Sequence, residues 1–332
     1  MKVLVTGAAG FIGFHLVKKL IKEGHQVVGI DNINDYYSVQ LKLDRLSQVG
    51  IDVAQIDSHH PVLSSVSSFQ FIKMDLLDMD QLLDLFEEHH FDCVINLAAQ
   101  AGIRYSLENP RSYLKSNVEG FFNILECCRL HPPGKLVYAS SSSVYGLNTE
   151  QPFATIQKSE TPINVYAATK KTNELLAHTY SHLYDLTTVG LRFFTVYGPW
   201  GRPDMAPFLF ADAIEAGKAI NVYNHGEMKR DFTYIDDIVG GINAVLKSDL
   251  PHKYQVYNIG NGKPVNLLHF IKCLESSFGK KAEINLKDMI PGDIVSTWAD
   301  TDELEAVSGH RATTNIEDGV DSFVKWYREY NQ

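Results

Sequence analysis

Three glycines near the start of the chain constrain its fold more than any other feature. Val3-Leu-Val-Thr-Gly7-Ala-Ala-Gly10-Phe-Ile-Gly13 runs from a short apolar strand pattern into a helical one. In that context Gly7 permits a tight turn. Gly10 lets backbone amides, with those of Phe11 and Ile12, approach a pyrophosphate, and Gly13 lets helix and strand pack closely. Asp31 ends the next β-rich run and Asn32 follows it. A carboxylate there accepts hydrogen bonds from adenosine ribose hydroxyls and repels a 2′-phosphate, so the expected cofactor is NAD rather than NADP.

The glycine turn opens a regular alternation. Apolar runs at 2–6, 26–31, 69–74, 93–98, 135–139 and 187–197 are separated by helical patterns at 14–23, 80–88, 110–131 and 166–184. Near-continuous apolar strands between helices predict a parallel sheet covered on both faces, and right-handed crossovers make it doubly wound, a Rossmann α/β fold. After Tyr197 the rhythm changes to short segments: helices near 208–217, 236–247 and 266–278 and a strand at 220–223. The expected organisation is a NAD-binding domain over 1–197, with later segments returning to it, and a smaller mixed α/β substrate lobe over 198–332. Residues 51–68, rich in Ser and containing Pro61, read as a surface insertion.

Charge and cysteine usage narrow the class of partner. A formal charge of −10 over 332 residues argues against nucleic acid or an anionic membrane surface, since both need a concentrated basic face. An anionic substrate must therefore be met by particular Lys and Arg side chains. Cys93, Cys127, Cys128 and Cys273 show no metal-ligand spacing and read as reduced, buried thiols, so no metal is expected. No signal peptide or membrane-spanning run is evident, and the plain expectation is a cytoplasmic protein.

The remaining strand ends carry the chemistry. Asp75 and Leu76 follow the third long strand pattern and could flank an adenine, although a helix N-cap explains Asp75 equally well. Leu97, Ala98 and Ala99 are small enough at the end of the fourth to let a cofactor backbone pass. Ser140 to Ser143 end the fifth, and Tyr166-Ala-Ala-Thr-Lys170 opens the helix that follows. Positions i and i+4 share a helix face, so Tyr166 and Lys170 point the same way. A free phenol titrates at about 10, too high for a base at neutral pH. A neighbouring ammonium and a cationic nicotinamide would both lower it. A strand-end serine hydroxyl can relay the proton and fix the reacting oxygen.

These features, in this order, resemble the extended short-chain dehydrogenase/reductase family over nearly the whole chain. In that family the catalytic Ser or Thr lies four residues before the Tyr of a VYG sequence. That Tyr is Tyr145 here, which implies Ser141 as the catalytic hydroxyl, Tyr166 and Lys170 as its partners, and Ser140 on the cofactor side. Members that dehydrate a sugar carry an acidic pair after this position, and members that decarboxylate a uronic acid typically keep a Glu. This chain has Ser142 and Ser143 instead. The resemblance then points to a 4-epimerase of a UDP-sugar, in which tightly bound NAD takes a hydride from carbon 4 and returns it in every turnover.

The second lobe is similar to a nucleotide-sugar clamp. By resemblance Val222 and Tyr223 lie along the uracil, Arg230 grips the diphosphate, and the Asp293 of Pro291-Gly292-Asp293 holds the uridine ribose. In Arg192-Phe-Phe-Thr195-Val-Tyr-Gly-Pro-Trp-Gly-Arg202, Thr195 and Arg202 resemble the UDP-glucuronate 4-epimerases, because galactose-type epimerases usually carry Asn at the first position and lack the second. Oxidising glucuronate at carbon 4 makes a β-keto acid, so a bidentate Arg202, assisted by Thr195 and by Ser141 or Ser142, would hold its carboxylate where it resists loss of carbon dioxide. Arg104 is a further cation expected near the sugar. The open alternatives are an epimerase of a neutral or N-acetylated UDP-hexose, a UDP-glucuronate decarboxylase, and a non-catalytic NAD-sensing protein. The family implies a homodimer through the helices at 110–131 and 166–184.

Overall fold

The computed structural model describes residues 1–289 and 293–331. The chain begins β1 (Lys2–Thr6), α1 (Phe11–Lys22), β2 (Gln26–Asp31), α2 (Val39–Gln48), β3 (Pro61–Leu63), β4 (Phe69–Lys73), α3 (Met79–His89) and β5 (Cys93–Asn96). The short helices α4 (Tyr105–Glu108) and α5 (Pro110–Tyr113) lead through a π-helical stretch, Leu114–Glu119, into α6 (Gly120–Leu130). Then come β6 (Lys135–Ser141), α7 (Val165–Tyr184), β7 (Thr188–Phe193), β8 (Thr195–Tyr197), α8 (Ala206–Glu215), β9 (Ile220–Tyr223), β10 (Lys229–Tyr234) and α9 (Ile235–Lys247). The chain closes with β11 (Tyr254–Ile259), β12 (Pro264–Asn266), α10 (Leu267–Phe278), β13 (Ile284–Lys287), α11 (Asp302–Ser308) and α12 (Ile316–Asn331).

The main sheet has the order β11-β7-β6-β5-β1-β2-β4-β3, parallel throughout except for β3. Its central strands are apolar on both faces because helices cover both. Val3 and Val5 face a core built with α1 and α9, whereas Leu4 and Val94 face one built with α3 and α6. Successive side chains of a strand point to opposite sides, so each strand feeds both cores. The chain steps outward from β1 through β2 and β4, then returns to the other side of β1 with β5. Ligands of such sheets bind at this reversal, beyond the carboxyl ends of the strands. A separate core under the second lobe joins α8, α10 and α12 through Phe208, Phe270, Leu274 and Phe323.

Several expectations change in detail. The run expected as one strand over 187–197 breaks at Phe194, whose amide bonds Ile259 O while its ring packs with Tyr145 and Phe153. The break moves Thr195 out of the main sheet and into a small one with β10 and β12. The insertion at 51–68 is not merely surface, because β3 adds an antiparallel edge strand and Val62 is buried against Phe71. Beyond residue 197, β11 pairs with β7 and α9 packs on α1, so the first layer is completed from the second half of the chain. All four cysteines are free and buried. Among the described residues no helix is long and apolar enough to cross a membrane.

His15 on α1 joins this layer to the loop before α8. Its Nε2–H donates to Pro199 O at 2.9 Å. Burial is the main cause that lowers its pKa from 6.5 to about 4, helped by the nearby Lys18 and Arg45 charges, while the bond to Pro199 opposes it. Between those two values the unfolded chain binds the proton and the folded chain does not, so stability is complete above 6.5 and is lost as pH falls toward 4. A His15→Gln protein should therefore show a flatter decline. Relative to pH 7, wild type should lose about 2 kcal/mol more than the variant by pH 5, as read by urea unfolding at both pH values.

Candidate active site

The glycine turn is built by contact rather than by flexibility. Gly7 has φ of +71°, a conformation strained for any side chain. A β-carbon on Gly13 would stand 2.0 Å from Gly7 O, and one on Gly10 would stand 2.9 Å from the same oxygen. These near contacts hold the first turn of α1 directly beneath the end of β1. Gly10 is the N-cap of α1, with no side-chain cap and no acid in the first turn, which leaves a positive helix end for a phosphate. Asp31 stands beside it, with Oδ2 accepting from Ala9 N at 3.1 Å and Oδ1 from Ile33 N at 2.8 Å. Asp75 is not the helix cap: the N-cap position of α3 is Asp78, whose side chain makes no cap bond, while Asp75 accepts from Asn32 Nδ2 at 2.8 Å and from Leu77 N at 3.0 Å.

A cavity of about 880 Å³ runs from this turn across the strand ends to the second lobe. It is lined by Gly7, Gly10, Phe11, Ile12, Gly13, Asp31, Asn32, Asp75 and Leu76, and further along by Leu97, Ala98 and Ala99. Ser140 to Ser142, Tyr166, Lys170, Thr195 and Arg202 line its middle, and Arg104, Tyr223, Arg230 and Asp293 its far end. One sequence-selected residue is not there. Val222 is fully buried in the core of the second lobe, because alternation along β9 turns it inward while Asn221 and Tyr223 face the cavity. Pro291 and Gly292 lie outside the described residues.

The Ser–Tyr–Lys group assembles from two elements. Asn164 caps α7 by accepting from Ala167 N at 2.8 Å, which fixes the start of the helix and therefore the phase of Tyr166. The Ser141 hydroxyl, at the end of β6, lies close enough to the Tyr166 phenol to lower its pKa, and it accepts from Ser143 N at 3.2 Å. Lys170 is only 3% exposed and donates to Ala139 O at 2.9 Å. Its pKa falls from 10.5 to about 8 through burial alone. The Tyr166 phenol is buried as well. Burial raises its pKa, the Ser141 hydroxyl and the Arg202 charge pull it down, and Lys170 is not among the causes. The Ser140 hydroxyl is committed elsewhere, donating to Glu174 Oε1 at 2.7 Å.

Residues that the motifs did not reveal hold the walls. Asn117, in the π-helical stretch, accepts from Gln100 N at 2.8 Å and donates to Gln100 O and Thr169 Oγ1, both at 3.0 Å. It thereby ties the loop after β5 to α7. Tyr113 packs edge-on against Tyr166 at 6.2 Å between ring centres and donates to Ala101 O at 3.2 Å. Arg202 does not present a free fork. Its Nε donates to Asp204 Oδ1 at 3.0 Å and its Nη2 to Asp204 Oδ2 at 2.5 Å, and Tyr36 OH donates to the same carboxylate at 3.0 Å. Arg230 Nη2 likewise pairs with Asp293 Oδ1 at 2.9 Å. Arg104 lies over the Tyr223 ring at 4.7 Å, bridging the loop after β5 to β9. Away from the cavity, His269, Cys273 and Glu317 bring three possible ligand atoms within 4.8 Å at the α10–α12 contact.

Comparison with known proteins gives a consistent picture. Residues 3–260 match the NAD dependent epimerase/dehydratase family. Protein CapI of Staphylococcus aureus is 52% identical, with 99% of each chain covered. UDP-glucuronate 4-epimerase 4 of Arabidopsis thaliana is 44% identical over 99% of this chain and 75% of that one. Among solved structures, UDP-glucuronic acid 4-epimerase from Bacillus cereus, in complex with UDP-glucuronic acid and NAD, superposes with a TM-score of 0.89. It is 32% identical, with 99% of this chain and 100% of that chain covered.

The contact at Gly13 sets the test of the turn. A Gly13→Ala chain must move the Gly7 carbonyl, so it is expected to purify with less than about one tenth of the wild-type content of bound dinucleotide. Absorbance of the nucleotide released by acid reads this directly.

Proposed function

The chain belongs to the NAD dependent epimerase/dehydratase family, and we propose that its substrate is UDP-glucuronate, which it converts reversibly to UDP-galacturonate through a 4-keto sugar. The observation that carries this reading is the position of Arg202. It lines the same cavity as Tyr166, and its charge reaches the phenol. NAD is held by the glycine turn, the α1 N-terminus and Asp31. When bound it would supply reversible hydride exchange at carbon 4 and a positive charge that lowers the pKa of the Tyr166 phenol. Relatives named for this activity, and a solved structure holding this sugar nucleotide with NAD, support the assignment.

In this reading Tyr166 takes the 4-hydroxyl proton as hydride leaves carbon 4, and returns it to the same oxygen when hydride comes back to the other face of the carbonyl, while Ser141 bridges phenol and sugar oxygen. Lys170 fixes the cofactor side of the pocket. No carboxylate follows Ser141 in the chain, where Ser142 and Ser143 stand, so acid-assisted elimination has no donor at that position. Arg230 and Asp293 meet the diphosphate and uridine ribose, and Tyr223 lines the base. The sugar carboxylate is met by the Nη1 edge of Arg202, since Asp204 occupies the other, with the hydroxyls of Thr195 and of Ser141 or Ser142 completing its contacts. Held there, the carboxylate is kept from the perpendicular geometry in which a β-keto acid loses carbon dioxide.

We propose a homodimer as the working form. Leu114, Phe122, Leu175 and Leu183 are exposed on the helices 110–131 and 166–184, and a shallow groove lies between them. The four unpaired thiols suit a reducing compartment such as the cytoplasm.

Removing the guanidinium should cost the charged hydrogen bond and the restraint together. An Arg202→Ala protein should lose about 100-fold in kcat/KM for UDP-glucuronate. It should also release carbon dioxide and a pentose product during turnover. Epimerisation at the wild-type rate, with no decarboxylated product by NMR, would sink the carboxylate-anchor assignment.

A further inference from the structure

We propose that Arg45 is a positioning residue that sets Arg202 against the cofactor's glycine turn. This rests on the reading of Arg202 as the carboxylate anchor. Arg45, on α2, is 0% exposed and has no carboxylate partner among the described hydrogen bonds and ion pairs. Every one of its donors is nonetheless used. Nη1 donates to Ala9 O at 3.0 Å and to Tyr37 OH at 2.7 Å. Nη2 donates to Trp200 O at 2.7 Å and to Gly201 O at 2.9 Å, and Nε to Trp200 O at 3.1 Å. Five donors in a planar fork are a guanidinium property, and an ammonium has only three.

The two ends of this fork are the two ligand sites. Ala9 lies in the glycine turn, and its amide is the one that Asp31 accepts from. Trp200 and Gly201 immediately precede Arg202. That loop is a strained one: Trp200 has φ of +59°, in the left-handed region. Its ring is wedged against Phe14, Trp326 and Tyr330 at 5.2 to 5.5 Å between centres. His15 holds the preceding carbonyl of Pro199. A side chain in the left-handed region persists only where its surroundings over-determine it, and here those surroundings converge on the peptide that leads into the anchor. Burying an uncompensated charge to do so is costly unless its donors are satisfied. The gain is a fixed distance between the pyrophosphate turn and the group that holds the sugar carboxylate.

The test compares holoenzymes carrying Arg45→Lys, Arg202→Ala and both. Arg45→Lys should raise KM for UDP-glucuronate about tenfold and increase the decarboxylated share of product, with kcat changed less. The inhibition constant of UDP, which has no sugar carboxylate, should stay within about twofold. In the Arg202→Ala background the second substitution should add less than about twofold, because both act through one contact. Multiplicative effects, or a UDP constant that rises as far as KM, would overturn the proposal. A defective Arg202→Ala beside a wild-type-like Arg45→Lys removes the positioning role alone, whereas a wild-type-like Arg202→Ala removes the anchor and this role with it. Should Arg45→Lys fail to fold, Tyr37→Phe deletes a single acceptor of the fork. A KM raised about threefold with UDP inhibition unchanged supports the proposal, and an unchanged KM overturns it.

Discussion

The approach of the Gly13 α-carbon to the Gly7 carbonyl is the constraint on which the rest of the molecule depends. It leaves no room for a methyl group, so the first helix starts directly beneath the end of the first strand. That places the helix N-terminus at the reversal point of the sheet, where β1 is flanked by β2 and β5. Asp31, at the end of β2, then reaches the turn itself, and the strand ends carrying Ala98 and Ser141 open onto the same crevice. A single backbone contact thus fixes the glycine turn against the ends of these strands.

What the sequence made legible follows from how local each signal is. The glycine turn, the acid after β2 and the Tyr166–Lys170 pair are short motifs whose geometry is set within one turn or one strand end, and all line the cavity. The break at Phe194 was invisible because its cause is Tyr145 and Phe153, far along the chain. The Val222 side chain turns inward, and a three-residue match carries no information on which way a strand faces. Asn117 sits in a π-helical stretch that disturbs helical periodicity by one residue, and its partner Gln100 lies in a loop without pattern. Arg45 belongs to no motif, and its bonds to Trp200 and Gly201 span 155 and 156 residues of chain.

Charge in the cavity is organised by pairing. A chain with a net charge of −10 cannot attract a sugar nucleotide through its overall field. Two arginines of the cavity are held locally, Arg202 by Asp204 and Arg230 by Asp293. Each pair leaves its arginine oriented, with part of the fork still available, at less desolvation cost than a lone buried charge. Arg192 shows the opposite use of the same chemistry. Its bonds to Glu174, at 2.8 and 2.9 Å, are wholly buried and serve packing under β6 and β7.

The run of four serines shows how a repetitive sequence brings one hydroxyl to the tyrosine. Alternation along β6 sends neighbouring side chains to opposite faces. Ser140 therefore turns to Glu174, while Ser141 reaches Tyr166. On α7, Tyr166, Lys170 and Glu174 form one stripe at successive i+4 positions, and the stripe is read by consecutive groups of the strand end: the Ser141 hydroxyl, the Ala139 carbonyl and the Ser140 hydroxyl. The lysine is locked onto backbone, so its charge is fixed in place yet weakened by burial. Burial holds the phenol above its ordinary pKa, against the downward pull of Ser141 and of the Arg202 charge.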